Sequence, residues 1–283
     1  MKSKLIFSNL IFLSLLFTEI LSYSQKPNLE LVPGSVITHM PASSGIMVGS
    51  PSIEVLPSGE YIVSLSYSSV GNADRGDVHN SGIFISNDRG QTWEFVTKIK
   101  NQRWATIFYH REALYMLGTY KAFGDATIRK STDKGKSWTQ PVDEETGLLA
   151  KGRYHCAPVP LVFHDGKIWR AMEFAPRKRE FKALMMSVPE DADLMKAENW
   201  TFSEQIPYNE QWYDGKFLGW LEGNAVLTKE NEIVNILRCN FTGKYHSIAA
   251  KINISPDGKD LKFDPGKNFI DFLNIKIIIN FRN

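Results

Sequence analysis

Six positions carry residue types suited to polar-bond chemistry. His155 offers an imidazole that can move protons near neutral pH. Glu173 and Glu222 are two carboxylates, the pairing that hydrolysis of a glycosidic bond uses as acid and base. Arg238 follows Glu222 by 16 positions, and its guanidinium fork suits a carboxylate. Tyr154 and Trp220 are flat rings able to stack on a sugar, as is Trp212, although rings of this kind more often pack in a core. His155 could as well be a hydrogen-bonded core histidine, and Glu222 with Arg238 a structural ion pair. His110 and His164 fall at turns and read as exposed. Cys156 and Cys239 are either one disulfide or two buried thiols. No Cys-x-x-Cys or His-x-x-x-His spacing marks a metal site, and no cofactor is expected.

The elements that must position these residues are short strands. Ser52–Leu56, the Pro57-Ser58-Gly59-Glu60 turn, Tyr61–Ser66, Gly82–Ser86 and Trp93–Ile99 form one unit of four. The order recurs at Trp104–Tyr109, Ala113–Thr119, Ala126–Ser131 and Trp138 onward. A third unit holds Val159–Phe163, Ile168–Phe174 and Ala183–Ser187, and a fourth holds Asn224–Thr228, Ile233–Arg238 and Ser247–Ile254. Pro189–Glu198 is at most a short helical insert. Such spacing predicts an all-β propeller of four-stranded blades. Glu222 and Arg238 then sit on adjacent strands of one hairpin, where they can meet.

Between the third and fourth strands stands a Ser-x-Asp-x-Gly-x-x-Trp motif. It reads Ser86, Asp88, Gly90, Trp93, and again Ser131, Asp133, Gly135, Trp138, an interval of 45 residues. Serine and aspartate close the turn on backbone amides, glycine takes a positive φ, and tryptophan anchors the next strand. A degenerate copy spans Ser187–Trp200, and a weaker one is Ser255-Pro256-Asp257-Gly258. The motif is structural, and its aspartates are not catalytic candidates.

These motifs resemble the Asp-boxes (BNR repeats) of sialidase-like β-propellers, over about Gly49 to Asp271. That superfamily includes exo-sialidases, other glycoside hydrolases, ulvan-lyase-type polysaccharide lyases and non-catalytic glycan binders. The resemblance implies an axial site. Glu222 falls where the family has a glutamate that activates the nucleophile, and Arg238 where an arginine grips a carboxylate. Asp74, in the loop Gly71–Asp77, matches the acid/base aspartate, with Asp77 second and a solvated polar loop the alternative. Gly49-Ser50-Pro51 stands in place of the family's Arg-Ile-Pro, which argues against a true sialidase. His155 matches a histidine that takes part in catalysis in the related lyases. Glu173 and Glu222 replace the lyases' second histidine and tyrosine. The resemblance therefore implies a glycoside hydrolase acting on acidic or deoxy-sugar glycans. The alternatives are an ulvan-lyase-type lyase and an inactive or glycan-binding propeller. Catalysis falls to Glu222, His155, Glu173 and Asp74, and substrate binding to Arg238, Tyr154 and Trp220.

Lys2 and Lys4, the apolar run Leu5–Leu21 and Ser22-Tyr23-Ser24 read as a signal peptide, 1–24, rather than a membrane anchor. No lipoprotein cysteine follows. Secretion or periplasmic export is therefore expected, with no membrane association after cleavage. Lys plus Arg total 33 against 31 Asp plus Glu, and no basic block stands out, which excludes a nucleic-acid partner. The expected organisation is a lead-in at 25–48, blades over 49–272 and an atypical tail at 273–283. Four blades are fewer than the six or seven that the resemblance implies. The chain therefore reads as an incomplete propeller, and the tail as an out-of-frame ending after a frameshift or early stop.

Overall fold

The computed structural model describes residues 33–69, 79–177, 180–241 and 248–271. The segment 1–24 read as a signal peptide, the tail, Asp74 and Asp77 lie outside them. The chain divides into Met1–Val36 and Ile37–Asn283, and the fold is that of the second unit.

Four antiparallel sheets follow one another along the chain. The first blade is β1 (Ile46–Val55), β2 (Tyr61–Ser69), β3 (Ser81–Ser86) and β4 (Glu94–Ile99), paired in that order. The second is β5 (Gln102–His110), β6 (Ala113–Tyr120), β7 (Ala126–Ser131) and β8 (Leu148–Ala150). The third holds β9 (Tyr154–His155), β10 (Val162–His164), β11 (Lys167–Arg177), β12 (Glu180–Pro189), β13 (Thr201–Phe202) and β14 (Ile206–Pro207). Here β9 and β10 share the edge of β11, and β13 and β14 share that of β12. The fourth is β15 (Phe217–Leu227), β16 (Ile233–Phe241), β17 (Ile248–Ile254), β18 (Leu261–Lys262) and β19 (Phe269–Asp271). This is the arrangement of successive propeller blades, each four strand positions wide, with split edge strands in the third and fourth. Among the described residues the one α-helix is a single turn, Trp212–Gly215, and no helix is long and apolar enough to cross a membrane.

The third strand of each of the first two blades meets its turn as the motif requires. Ser86 Oγ donates to Asp88 Oδ1 at 2.7 Å and accepts from the Gly90 amide at 2.7 Å. Asp88 Oδ1 accepts from the Thr92 amide at 2.9 Å. In the second copy the matching distances are 2.8, 2.9 and 2.9 Å. Gly90 and Gly135 take φ of 87° and 84°, where a side chain would be strained. Gly258 takes φ 85° in the weaker copy. Trp138 begins no strand: it is held by its indole N–H on the Gly135 carbonyl, and the blade's fourth strand waits until Leu148.

Apolar layers between blades make the core. Ile62, Ile83, Ile107 and Met116 fill the first interface. Leu117, Ile128, Ile168, Met172 and Leu184 fill the second, and Ala171, Met185, Phe217, Trp220 and Leu237 the third. Cys156 and Cys239 are free thiols, one in each of the last two layers. His110 and His164 are half-buried rather than exposed; His110 Nε2 lies 2.8 Å from the Glu190 carbonyl.

Candidate functional site

First strands of three blades break their ladders at a bulge. The register shifts between Gly49 and Ser52 in β1, Arg103 and Thr106 in β5, and Leu221 and Gly223 in β15. At each bulge one non-glycine residue has a left-handed backbone: Ser50 at φ 50°, Trp104 at 50° and Glu222 at 55°. Bulges re-aim a side chain, and such strain persists only where neighbours over-determine it.

The determinants around Glu222 are visible. Glu173 of β11 is fully buried. Its Oε1 accepts the Gly223 amide at 2.7 Å, next to the strained residue. A Cβ on Gly223 would stand 2.6 Å from Asn235 Oδ1, so any larger residue must displace the buried Asn235 side chain. Glu222 is thereby turned outward to meet Arg238, whose Nη1 lies 3.1 Å from its Oε2. The side chains are 40% and 55% exposed, so this pair is open to solvent rather than a buried strut. Glu222 lies inside β15 rather than at its start, and the register sets Leu221, not Glu222, opposite Arg238.

The other oxygen of Glu173 holds His155. The ladder sets the two residues opposite each other, and Nδ1 of the ring is 2.7 Å from Oε2. Nε2 has no hydrogen-bond partner among the described residues. Three rings surround the imidazole: Trp104 edge-on at 4.4 Å, Phe181 edge-on at 5.4 Å and Phe123 stacked at 5.8 Å. Trp104 is pinned at its bulge, its amide donating to Ser66 Oγ at 3.2 Å and its carbonyl accepting from the Cys156 thiol at 3.1 Å. Phe123 sits in the tight turn after β6 with φ 56°. Burial pushes the Cys156 thiol up to about 11, so it serves as a donor in this contact.

Glu173 and His155 are thus brought together, as are Glu222 and Arg238, and the Gly223 amide on Glu173 Oε1 links the two pairs, with a change of role for Glu173. Both oxygens of Glu173 are spent on His155 and Gly223, so it is not a free carboxylate facing a substrate. Trp220 and Tyr154 do not form the sugar platform. Trp220 is fully buried against Phe217 and Phe263, and Tyr154 is buried against Phe174 and Phe202. The rings at the site are Trp104, Phe123 and Phe181, all partly exposed. Phe123 had a signal in the sequence, an aromatic residue inside a Lys-Ala-Phe-Gly turn where polar residues are usual. Among the described residues no group of three or more His, Cys, Asp or Glu side chains could hold a metal ion.

No family model and no curated protein sequence matches the chain. Solved structures do match. A protein of unknown function from Dyadobacter fermentans superposes with a TM-score of 0.51 at 16% identity, over 77% of this chain and 68% of the other. A family 117 glycoside hydrolase of Zobellia galactanivorans superposes at 0.50 and 11% identity, over 82% and 73%. A Hadza microbial sialidase superposes at 0.50 and 13% identity, with 77% of this chain spanning 46% of that one. At these identities the likeness establishes the propeller fold, and the chemistry must be argued from the site.

Proposed function

We propose that the chain is an exported, glycan-cleaving propeller enzyme that hydrolyses glycosidic bonds of acidic or deoxy-sugar glycans. The observation that carries the reading is the double use of Glu173, which fixes His155 through Nδ1 and fixes the bulge that presents Glu222. A glycoside hydrolase needs one group to protonate the leaving oxygen and another to activate water or attack the anomeric carbon. His155 suits the first role, since its Nδ1 is held by a carboxylate, leaving Nε2 to deliver the proton. Glu222 suits the second, presented to solvent by the bulge with Arg238 Nη1 3.1 Å from its Oε2. Trp104, Phe123 and Phe181 offer apolar walls against which a sugar ring could lie. Glu173 acts through His155 and is a positioning residue. Asp74, expected as an acid/base aspartate, remains a candidate from the resemblance alone. Export rests on the signal-like segment 1–24.

The test is incubation with a panel of acidic polysaccharides, read by reducing ends and by ultraviolet absorbance. Reducing ends without absorbance are expected, falling by about 10²–10⁴ in Glu222→Gln and in His155→Gln. An absorbing, unsaturated product would replace hydrolysis by β-elimination with His155 as base. Release of no product from any polymer would leave a glycan-binding or inactive propeller.

A further inference from the structure

Arg238 is the arginine that the resemblance assigns to carboxylate recognition, yet its charge is committed to Glu222. Arg153 is placed differently. It stands two residues before His155, so both side chains leave the same side of the chain. The ladder of β9 with β11 continues through it: the Ala175 amide donates to the Arg153 carbonyl at 2.7 Å, and Arg153 Nε donates to the Ala175 carbonyl at 3.0 Å. Its guanidinium lies 5.6 Å from the centre of the Phe123 ring, the ring that stacks on His155. Arg153 is exposed. Among the described residues no carboxylate pairs with it, and its two terminal nitrogens carry no hydrogen bond. The fork is therefore held at its stem, backed by an aromatic face, and open at its tip.

We propose that Arg153 is an anion-reading subsite beside His155, gripping a carboxylate or sulfate substituent of a glycan lying over the aromatic walls. This deepens the hydrolase reading and rests on it for the position of the sugar. Pre-organisation is the physical argument, since anchoring Nε removes much of the rotamer freedom that a long cation otherwise loses on binding. A fork of free N–H donors matches the paired oxygens of either anion.

The experiment is affinity electrophoresis of the full chain through gels carrying polygalacturonate, alginate, dextran sulfate or neutral dextran. Retardation by the carboxylated or the sulfated polymers is expected, and which of them retards assigns the anion. Dextran should give none. Arg153→Gln should weaken the retarding interaction about 10–100-fold. Arg153→Lys, which keeps the charge without the fork, should weaken it several-fold and tests the idea should the glutamine variant not fold. Lys151→Gln removes an exposed neighbouring charge and should change nothing. The proposal is overturned if no anionic polymer retards the wild type, if dextran retards it equally, or if a folded Arg153 variant migrates as wild type. An equal loss in Lys151→Gln overturns it too, by showing a diffuse charge effect. Product release keeps the two readings apart. Arg153-dependent binding with no product released from any polymer removes the hydrolase and leaves the subsite. The reverse pattern removes the subsite alone.

Discussion

Glu173 is the residue on which the arrangement turns. A carboxylate with no exposure is tolerable only when its oxygens are satisfied, and here they are, by an imidazole and a backbone amide. Replacing it with glutamine keeps the shape and puts an amide N–H₂ where one acceptor stood. With the amide oxygen kept on the Gly223 N–H, the N–H₂ donates to Nδ1 of His155 and forces the ring proton onto Nε2. We expect Glu173→Gln to lower kcat by about 10²-fold or more and to change the pH profile, because the imidazole loses its orienting carboxylate. A purely structural role would lower the melting temperature and leave the profile of the remaining activity in place. His155 and Glu222 were legible from sequence as residue types at suitable places. The sharing of Glu173 was not, because its partners come from β9 and β15, 18 and 50 positions away.

At the scale of elements, the Asp-box turns follow closely from their letters, since every bond in them is local. Hydrogen bonds from Thr92 lower the Asp88 carboxyl to about 2, and those from Ser137 lower Asp133 to about 2, against an ordinary value of 3.8. A depressed acid stabilises the fold above its unfolded pKa, and that stabilisation is lost as pH falls through the folded value. Stability should therefore be level above about pH 5 and decline from pH 4 towards 2. Asp88→Asn with Asp133→Asn should flatten this decline while lowering stability at neutral pH, as denaturant melts across the range would register. Equal acid sensitivity in the double variant would sink the assignment. The bulges are less legible. Glycine at 223 hints at one, but the need for it comes from Asn235 on the neighbouring strand.

Across the whole molecule, blades cohere through apolar layers, and this decides the fate of residues with ambiguous letters. Trp220 could serve a sugar or a core by type. Its position in β15, on the face turned to the third blade, puts it in the core. The same layers settle the cysteines as separate thiols. Burial raises Cys156 to about 11 and Cys239 to about 12, so little thiolate exists near neutrality. Two thiols should react with a disulfide reagent after denaturation and essentially none rapidly before it. Reductant should not move the melting temperature. A single bridged pair in the oxidised chain would contradict this packing.

The sequence by itself determined the blade pattern, the turns and the residue types available for chemistry, because strand alternation and Asp-box bonding act within a few residues. Only the tertiary structure decided which of those residues share a site. Contacts between blades join positions far apart in the chain. They turned Glu173 from a facing carboxylate into a support and moved the aromatic walls to Trp104, Phe123 and Phe181. They also left Arg153, not Arg238, as the arginine of the site without a carboxylate partner among the described residues.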